Sequence, residues 1–322
     1  MVTTSDLVTF GETMLRFSPP RGELLETSSE FTVQAGGAES NVAVAAARLG
    51  ANTTWLSKLP KSPLGKRVES SIRQHGVTPA VAWDASTETR QGVYYLEHGA
   101  EPRPTTVLYD RRDAAITTVT PSELDTTTIE SASLFFTTGI TPALSATTTE
   151  TTHKLLEVAS AADTRTAFDL NYRAKLWEPA DARETYESLF ELLDLLFIPE
   201  RDAHHVLGMS GSASEIATTL SETYNIETVV VTRGDDGALA LRDDSTVTQP
   251  IFETETVDPI GTGDAFVGGF LAEELAGSPL EQSLAVGSAA AALKRTLHGD
   301  VAVISRAEVA NVLSDSGYGI DR

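Results

Sequence analysis

The sequence predicts an α/β protein with a mostly parallel central sheet, helices on both of its faces and a small second β-sheet. Three observations lead there. From Ser133 onward, short apolar β-rich runs alternate with helical patterns, the rhythm of strands joined by crossover helices. Two glycine-bearing junctions, residues 35–41 (Ala-Gly-Gly-Ala-Glu-Ser-Asn) and 258–264 (Asp-Pro-Ile-Gly-Thr-Gly-Asp), each run into a helical pattern. Two stretches, about 13–34 and 92–112, carry short β-pieces outside that rhythm. With 322 residues the chain reads as one domain, 1–322, able to bury a sizeable core, the two stretches forming a lid on it.

The elements follow in order. Residues 7–11 are an apolar run ending in glycine, a first strand. Residues 14–17 and 31–34 alternate and are split by Pro19-Pro20-Arg21-Gly22. The 35–41 junction opens an Ala/Val helix that ends near Leu49, with Gly50 as its stop. Residues 53–58 are a strand, and Ser62-Pro63 starts a helix that stops at Gly76. Residues 92–97 and 105–110 form a hairpin around Gly99, Pro102 and Pro104. Thr120-Pro121-Ser122-Glu123 has the form of a capping box for a short helix. Strands are expected at 133–138, 165–169, 195–198 and 228–232, with helices at 151–162, 180–193 and 214–224 interleaved. Residues 238–242 and 246–252 make a β return. A helix follows Gly263. An Ala-rich helix capped by Ser278-Pro279-Leu280-Glu281 runs to Leu297, and a last one is capped by Ser305 and Glu308.

Composition narrows the function classes. The net charge is −22, with 46 acidic residues against 24 basic ones, of which only six are lysine. Such a chain does not bind nucleic acid nonspecifically. Without cysteine, disulfides, thiolate catalysis and Cys-based metal sites are excluded. No apolar run reaches membrane length and the start lacks a leader-like pattern, so a cytoplasmic protein without membrane contact is expected. The acid is spread along the whole chain, as in proteins of a salt-accumulating cytoplasm. At molar salt the screening length falls to about 3 Å, and self-repulsion becomes tolerable.

The 258–264 junction carries the chemistry. Backbone N–H groups at a helix start have no intrahelical partner and sit at the positive end of the dipole, a ready site for phosphate. Gly261 and Gly263 let a ligand approach the backbone closely. Asp264 would repel phosphate as a mere holder, but suits a base beside a phosphoryl group under attack. A dinucleotide fingerprint is excluded by Phe266 at its third small position, and a Walker loop by Pro60 and Arg67 around Gly65-Lys66. Polar runs after the strands at 169–173 and 232–237 fall where open α/β sheets bind ligands.

Taken together, these residues resemble the ribokinase-like (PfkB) carbohydrate kinase family over nearly the whole chain. Residues 258–264 are similar to its C-terminal signature, Asp-Thr-x-Gly-Ala-Gly-Asp, and residues 35–50 to its N-terminal one. Within the family the chain looks most like the 2-keto-3-deoxygluconate kinases. Residues 171–177 match their Asn-x-Arg-x-Lys-Leu-Trp run, and Val93-Tyr94-Tyr95, Tyr109-Asp110-Arg111 and His298-Gly299-Asp300 resemble their substrate-side pieces. The resemblance implies a ribokinase-like fold. It also implies ATP-dependent phosphorylation of 2-keto-3-deoxy-D-gluconate to the 6-phosphate, in sugar-acid catabolism of Entner–Doudoroff type. ATP would carry Mg²⁺ mainly through its phosphates, with no direct protein metal ligand, and K⁺ is a further candidate cation. A homo-oligomer is implied, as a dimer through the lid or higher. Pro259 and Thr262 depart from the usual Thr and Ala, and Pro199 stands where the metal-associated Asn-x-x-Glu motif begins.

By resemblance and chemistry, Asp264 is the base for a substrate hydroxyl, and the N–H groups of Gly261, Thr262, Gly263 and Asp264 hold the transferred phosphoryl. Gly36, Gly37, Asn41, Tyr94, Tyr109, Arg111, Arg173 and Asp300 would contact the sugar. Asn171, Arg173, Thr232, Arg233, Gly234 and Gly237, with Gly261 and Gly263, would contact ATP. Other readings stand beside these: Gly234 and Gly237 as a tight turn, Tyr94 and Tyr109 as lid packing, Asp300 as a loop cap. Among the sparse cations, Arg111 and Arg173 suit a sugar carboxylate, whereas Arg103 and Arg112 suit surface pairs. His204-His205 is no metal site, since helix neighbours point about 100° apart. A ketohexokinase or fructokinase of the same family and a non-catalytic sugar-binding regulator are the alternative functions.

Overall fold

Strands whose every residue is apolar become buried on both faces, and this sets the architecture. In the computed structural model, residues 5–314 are described; residues 1–4, on which the leader expectation rests, and 315–322 lie outside. In chain order the elements are β1 (Leu7–Phe10), β2 (Met14–Ser18), β3 (Thr32–Gly36), α1 (Ala38–Arg48), β4 (Thr53–Pro60), α2 (Pro63–Arg73), β5 (Thr78–Asp84), β6 (Val93–Glu97), β7 (Thr106–Asp110), α3 (Thr127–Glu130), β8 (Leu134–Thr138), α4 (Ala146–Ala161), β9 (Arg165–Asp169), α5 (Pro179–Phe190), β10 (Leu195–Pro199), α6 (Glu200–His205), α7 (Ala213–Tyr224), β11 (Thr228–Thr232), β12 (Ala238–Arg242), β13 (Ser245–Gln249), α8 (Thr262–Leu275), α9 (Leu280–Arg295) and α10 (Arg306–Leu313).

The main sheet has nine strands in the order β13-β12-β11-β10-β9-β8-β1-β4-β5. It is parallel from β11 to β5, and β12 and β13 join antiparallel at one edge. Side chains alternate between faces along each strand. Val8, Phe135, Phe168, Leu196 and Val229 therefore enter one core, shared with α4, α5 and α7. Their neighbours Leu7, Leu134, Ala167, Leu195 and Val230 enter the other, with α1, α8 and α9. A separate four-stranded sheet, β3-β2-β6-β7, is built from the two stretches that broke the rhythm.

Several elements depart from the expected bounds. β5 pairs with β4 as an edge strand, although its sequence neither alternates cleanly nor forms an apolar run. The Thr120 capping box forms, but on a single 3₁₀ turn. α4 starts at Ala146, before the expected 151, because Ser145 and Thr148 cap each other ahead of any apolar periodicity. α6 is too short to show a period. β13 ends at Gln249, since Pro250 offers no N–H to continue the ladder. Ser278 does not cap α9: its hydroxyl goes to Glu273 Oε2 at 2.7 Å, and Pro279 precedes the helix.

What places the site is the close approach of α1 and α8, one bearing alanines and the other Gly268. A Cβ at Gly268 would lie 2.5 Å from Ala45 Cβ and 2.7 Å from Val42 O. Gly268→Ala must push the two helices apart, so we expect a loss of about 1–3 kcal/mol despite the better helix former. Denaturant unfolding in molar KCl checks this, and an unchanged or higher midpoint would contradict the close-packed seam.

Candidate active site

Parallel strands deliver their carboxyl ends to one edge of the sheet, and there the chain leaves a cavity of about 1400 Å³. Its walls are the ends of β9, β10 and β11, the starts of α1 and α8, and the small sheet. Gly261 precedes α8 with φ 79°, and a Cβ there would lie 1.9 Å from Asp300 O, so only glycine fits. A Cβ at Gly263 would meet nothing within 4 Å, so this residue faces open space in the cavity, whereas the Thr262 N–H donates to Pro259 O at 3.3 Å. Thr262 ties the turn by donating its hydroxyl to Pro259 O at 2.7 Å.

Asp264 stands in the first turn of α8. Asn41 of α1 donates from Nδ2 to its Oδ2 at 2.7 Å, and Gly37 N lies 3.4 Å from Asn41 Oδ1, which orients the amide. Burial pushes the Asp264 carboxyl up to about 6, against the opposing pull of the Asn41 bond and of Arg173. Among the other acids of the cavity wall, Asp169 and Glu39 are shifted to similar values. Asp169, at the end of β9, is pushed up to about 7 by burial and then by the charge of Asp264. Glu39 is also pushed up to about 7 by burial, although Thr138 and Thr141 each donate to its Oε1 at 2.7 Å. Asn171, with φ 42°, turns back on Asp169 through its backbone N–H at 3.1 Å and its Nδ2 at 3.3 Å.

At the small-sheet end, Arg111 lies over the Tyr109 ring at 4.7 Å, with Nη2 3.6 Å from Glu12 Oε2. Its Nε and Nη1 have no hydrogen-bond partner, nor does either carboxylate oxygen of Glu12. Tyr94 donates its hydroxyl to Asp300, and Gly36 packs where a Cβ would lie 2.6 Å from the Asp300 carboxyl. Gly37 is equally tight, 1.9 Å from Glu12 O for a Cβ. Arg173 lines the cavity and donates to Tyr172 O at 3.1 Å. Lys175 reaches from the same loop to Val107 O of β7 at 2.7 Å.

Most of the residues singled out from the sequence thus meet around one cavity, Thr232 included. Arg233, Gly234 and Gly237 do not line it. Arg233 donates to Asp236 O at 2.6 Å, and Gly237 closes the turn between β11 and β12, a Cβ there lying 2.1 Å from Gln249 O. Arg103 pairs with Glu97 at 3.6 Å on the surface, whereas Arg112 does line the cavity. The sequence reading gave no role to Glu12, Glu39 or Asp202, all buried in the cavity wall, because an acid's sequence neighbours do not show whether it ends in water or in a cavity. Asp202 Oδ2 has no partner and stands three residues after Pro199, the only local signal that could have found it. No group of three or more His, Asp or Glu among the described residues could hold a metal ion by itself.

A buried acid in the first turn of a helix, a glycine turn before it and cations in the wall of the same cavity suit phosphoryl transfer, and the chain is a sugar kinase. It belongs to the pfkB family of carbohydrate kinases, whose profile matches residues 4–306. It is 57% identical over 319 residues, 99% of this chain and 100% of the other, to a 2-dehydro-3-deoxygalactonokinase of Haloferax volcanii. It is 28% identical to a 2-dehydro-3-deoxygluconokinase of Thermoproteus tenax over 91% of this chain and 89% of that one. The crystal structure of 2-dehydro-3-deoxygluconokinase from Thermotoga maritima superposes with a TM-score of 0.91 at 32% identity, covering 97% of this chain and 98% of that one.

Asp264 folds at a cost. Its carboxyl titrates near 6 in place against 3.8 in a free chain, so ionising it removes stability as pH rises from about 4 to about 6. Asp264→Asn keeps the shape without the charge. We expect its ligand-free Tm near pH 8 to exceed that of the parent by about 2–4 °C, with the gap roughly halved at pH 5. A Tm below the parent at both pH values would show that burial does not strain this carboxylate.

Proposed function

We propose that the chain transfers the γ-phosphoryl group of ATP to the terminal hydroxyl of a six-carbon 2-keto-3-deoxy sugar acid, giving the 6-phosphate. The observation that carries this is Arg111, a cation beside the small sheet in the same cavity wall as the Asp264 turn, with two unpartnered nitrogens. A ligand with a carboxylate at one end and a hydroxyl at the other fits that arrangement, whereas a neutral ketohexose such as fructose offers Nε and Nη1 of Arg111 no charged acceptor. The names of the Haloferax and Thermotoga proteins support the same substrate class. They differ over galactonate or gluconate, so 2-keto-3-deoxygluconate and its C4 epimer are both candidates. The 57% relative favours the galactonate type. A catabolic route of Entner–Doudoroff type would use such a product.

In this reading Asp264 takes the proton of the attacking hydroxyl, and the N–H groups of Gly261, Thr262, Gly263 and Asp264 hold the phosphoryl charge. Gly36, Gly37, Asn41, Tyr94, Tyr109, Arg111, Arg173 and Asp300 hold the sugar. Asn171, Arg173 and Thr232 lie on the nucleotide side, with Arg233, Gly234 and Gly237 shaping the turn behind it. Two solved structures with bound ATP, one of them with Mg²⁺, share the fold at 19% and 21% identity. Asp169 and the unpartnered Oδ2 of Asp202 suit Mg²⁺ held through water, where it would neutralise the ATP phosphates. K⁺ does not fit beside the turn. Asp258 and Asp300 already hold Arg16, and Lys294 Nζ fills the space at Asp258 O and Leu297 O, 3.2 Å from each.

The small sheet acts as the lid of a single domain, latched by Lys175 on Val107 O. Exposed Phe31 and Leu108 on it support a homo-oligomer through this face, and a monomer mass by light scattering would remove that reading. The acid excess and the haloarchaeal relative support a high-salt cytoplasm.

Asp264→Asn is expected to lower kcat by about 10²–10⁴-fold with KM values nearly unchanged. Turnover close to the parent's would end its assignment as base. Arg111→Ala should raise KM for the sugar acid by about 10–100-fold and leave that for ATP alone. In the parent, kcat/KM should fall as pH drops below about 6, where the carboxyl takes up its proton. ADP release with both epimers and with fructose, in molar KCl, tests the substrate; turnover of fructose alone would sink the sugar-acid reading.

A further inference from the structure

β2 carries an arginine that the site as described does not use. Arg16 is 2% exposed, and its guanidinium is spent entirely inside the protein. Nε donates to Ser18 Oγ at 2.9 Å, Nη1 to Asp300 Oδ2 at 3.0 Å and Nη2 to Asp258 Oδ2 at 2.9 Å, with His98 Nε2 3.0 Å from Nη2. These partners come from four separate segments, only one of them its own strand.

Both acids are fastened to the reacting centre. Asp258 opens the turn into α8. Its Oδ1 accepts from Ile260 N at 3.1 Å, and its Oδ2 accepts from Gly299 N at 3.1 Å, joining that turn to the loop after α9. Asp300 touches the turn with its backbone, against Gly261, and the sugar end with its carboxyl, against Gly36 and the Tyr94 hydroxyl. One guanidinium therefore bridges the turn that holds phosphoryl charge and the wall that holds the sugar.

Stability alone is a poor reason for such a cluster. Buried ion pairs often do no better than apolar residues of the same size. A planar fork with five donors can meet two carboxylates at fixed angles, which a lysine in the same place cannot. We propose that Arg16 is a positioning residue for phosphoryl transfer: it sets the distance and angle between the 258–264 turn and the Gly36–Tyr94 wall, so that a hydroxyl held by the small sheet arrives at Asp264. The proposal rests on the reading of this cavity as a sugar-acid kinase site.

The test uses the full chain in molar KCl with Arg16→Lys and Arg16→Gly, and the sugar acid that the parent turns over. A misplacement of about 1 Å can cost about 10²-fold in rate, so kcat of Arg16→Lys should fall by about 10–100-fold. ATP affinity should fall far less than kcat, because Asn171 and Thr232, on other elements, still face the nucleotide when the turn shifts. Millimolar guanidinium should restore part of the kcat of Arg16→Gly without changing its KM for ATP. A folded Arg16→Lys with parental kcat overturns the proposal. So do parallel losses of Tm, ATP binding and turnover that guanidinium restores together or not at all, which mark a clamp on the fold only. A parent inactive on every sugar acid removes the underlying substrate reading instead, and the proposal with it.

Discussion

Two helix starts meet in this protein through one hydrogen bond, from Asn41 of α1 to Asp264 of α8. Much else follows from keeping that contact. The helices must pack closely, which calls for Gly268 against Ala45. The turn before α8 must bend sharply under Asp300, which calls for Gly261. The carboxyl must stay out of bulk water, which raises its proton affinity and costs stability. A carboxylate with a pKa near neutrality is what the proposed general base needs, so under that reading folding and catalysis make opposite demands on the same atom.

The same tension recurs across the cavity. Glu39, Asp169 and Asp264 all carry raised pKa values, and the charge of Asp264 raises both of the others. Their protons therefore titrate as a set. Below the turn the balance is different, since Asp258 and Asp300 both pair with Arg16, and Lys294 donates to the Asp258 backbone carbonyl beside them. The upper acids are under-neutralised, ready for a cationic partner carried by a nucleotide. The lower ones pair with Arg16 and hold the backbone still, with Asp258 lowered but Asp300 still raised by its burial. In a chain with net charge −22, placing these few cations at the centre rather than the surface makes the site independent of how salt screens the exterior.

Legibility followed the range of the interactions. β8 to β11 were readable because a strand buried on both faces carries consecutive apolar residues instead of alternating ones. The pieces at 14–17, 31–34, 92–97 and 105–110 were readable because alternation marks a sheet with two unlike faces, and they formed the small sheet. β5 was not, because an edge strand can be mixed in character when its neighbour supplies the register. Among the site residues, those in glycine-bearing junctions announced themselves. The roles of Glu12, Glu39, Asp202 and Arg16 did not show, since a charged residue looks the same in the sequence whether it ends in water or in a buried wall.

By itself the sequence determined the alternating architecture, the glycine turn with its acid and the sugar-kinase signatures, all of which depend on residues close together in the chain. Only the tertiary structure decided that Arg233, Gly234 and Gly237 stand behind the cavity and not in its wall. It alone joined Arg16 to Asp300, 284 positions apart, and Asn41 to Asp264, 223 apart. The physical reason is the same in each case. Backbone propensity and periodicity act over a few residues, whereas the charge a buried group feels depends on what the fold brings within a few ångströms of it.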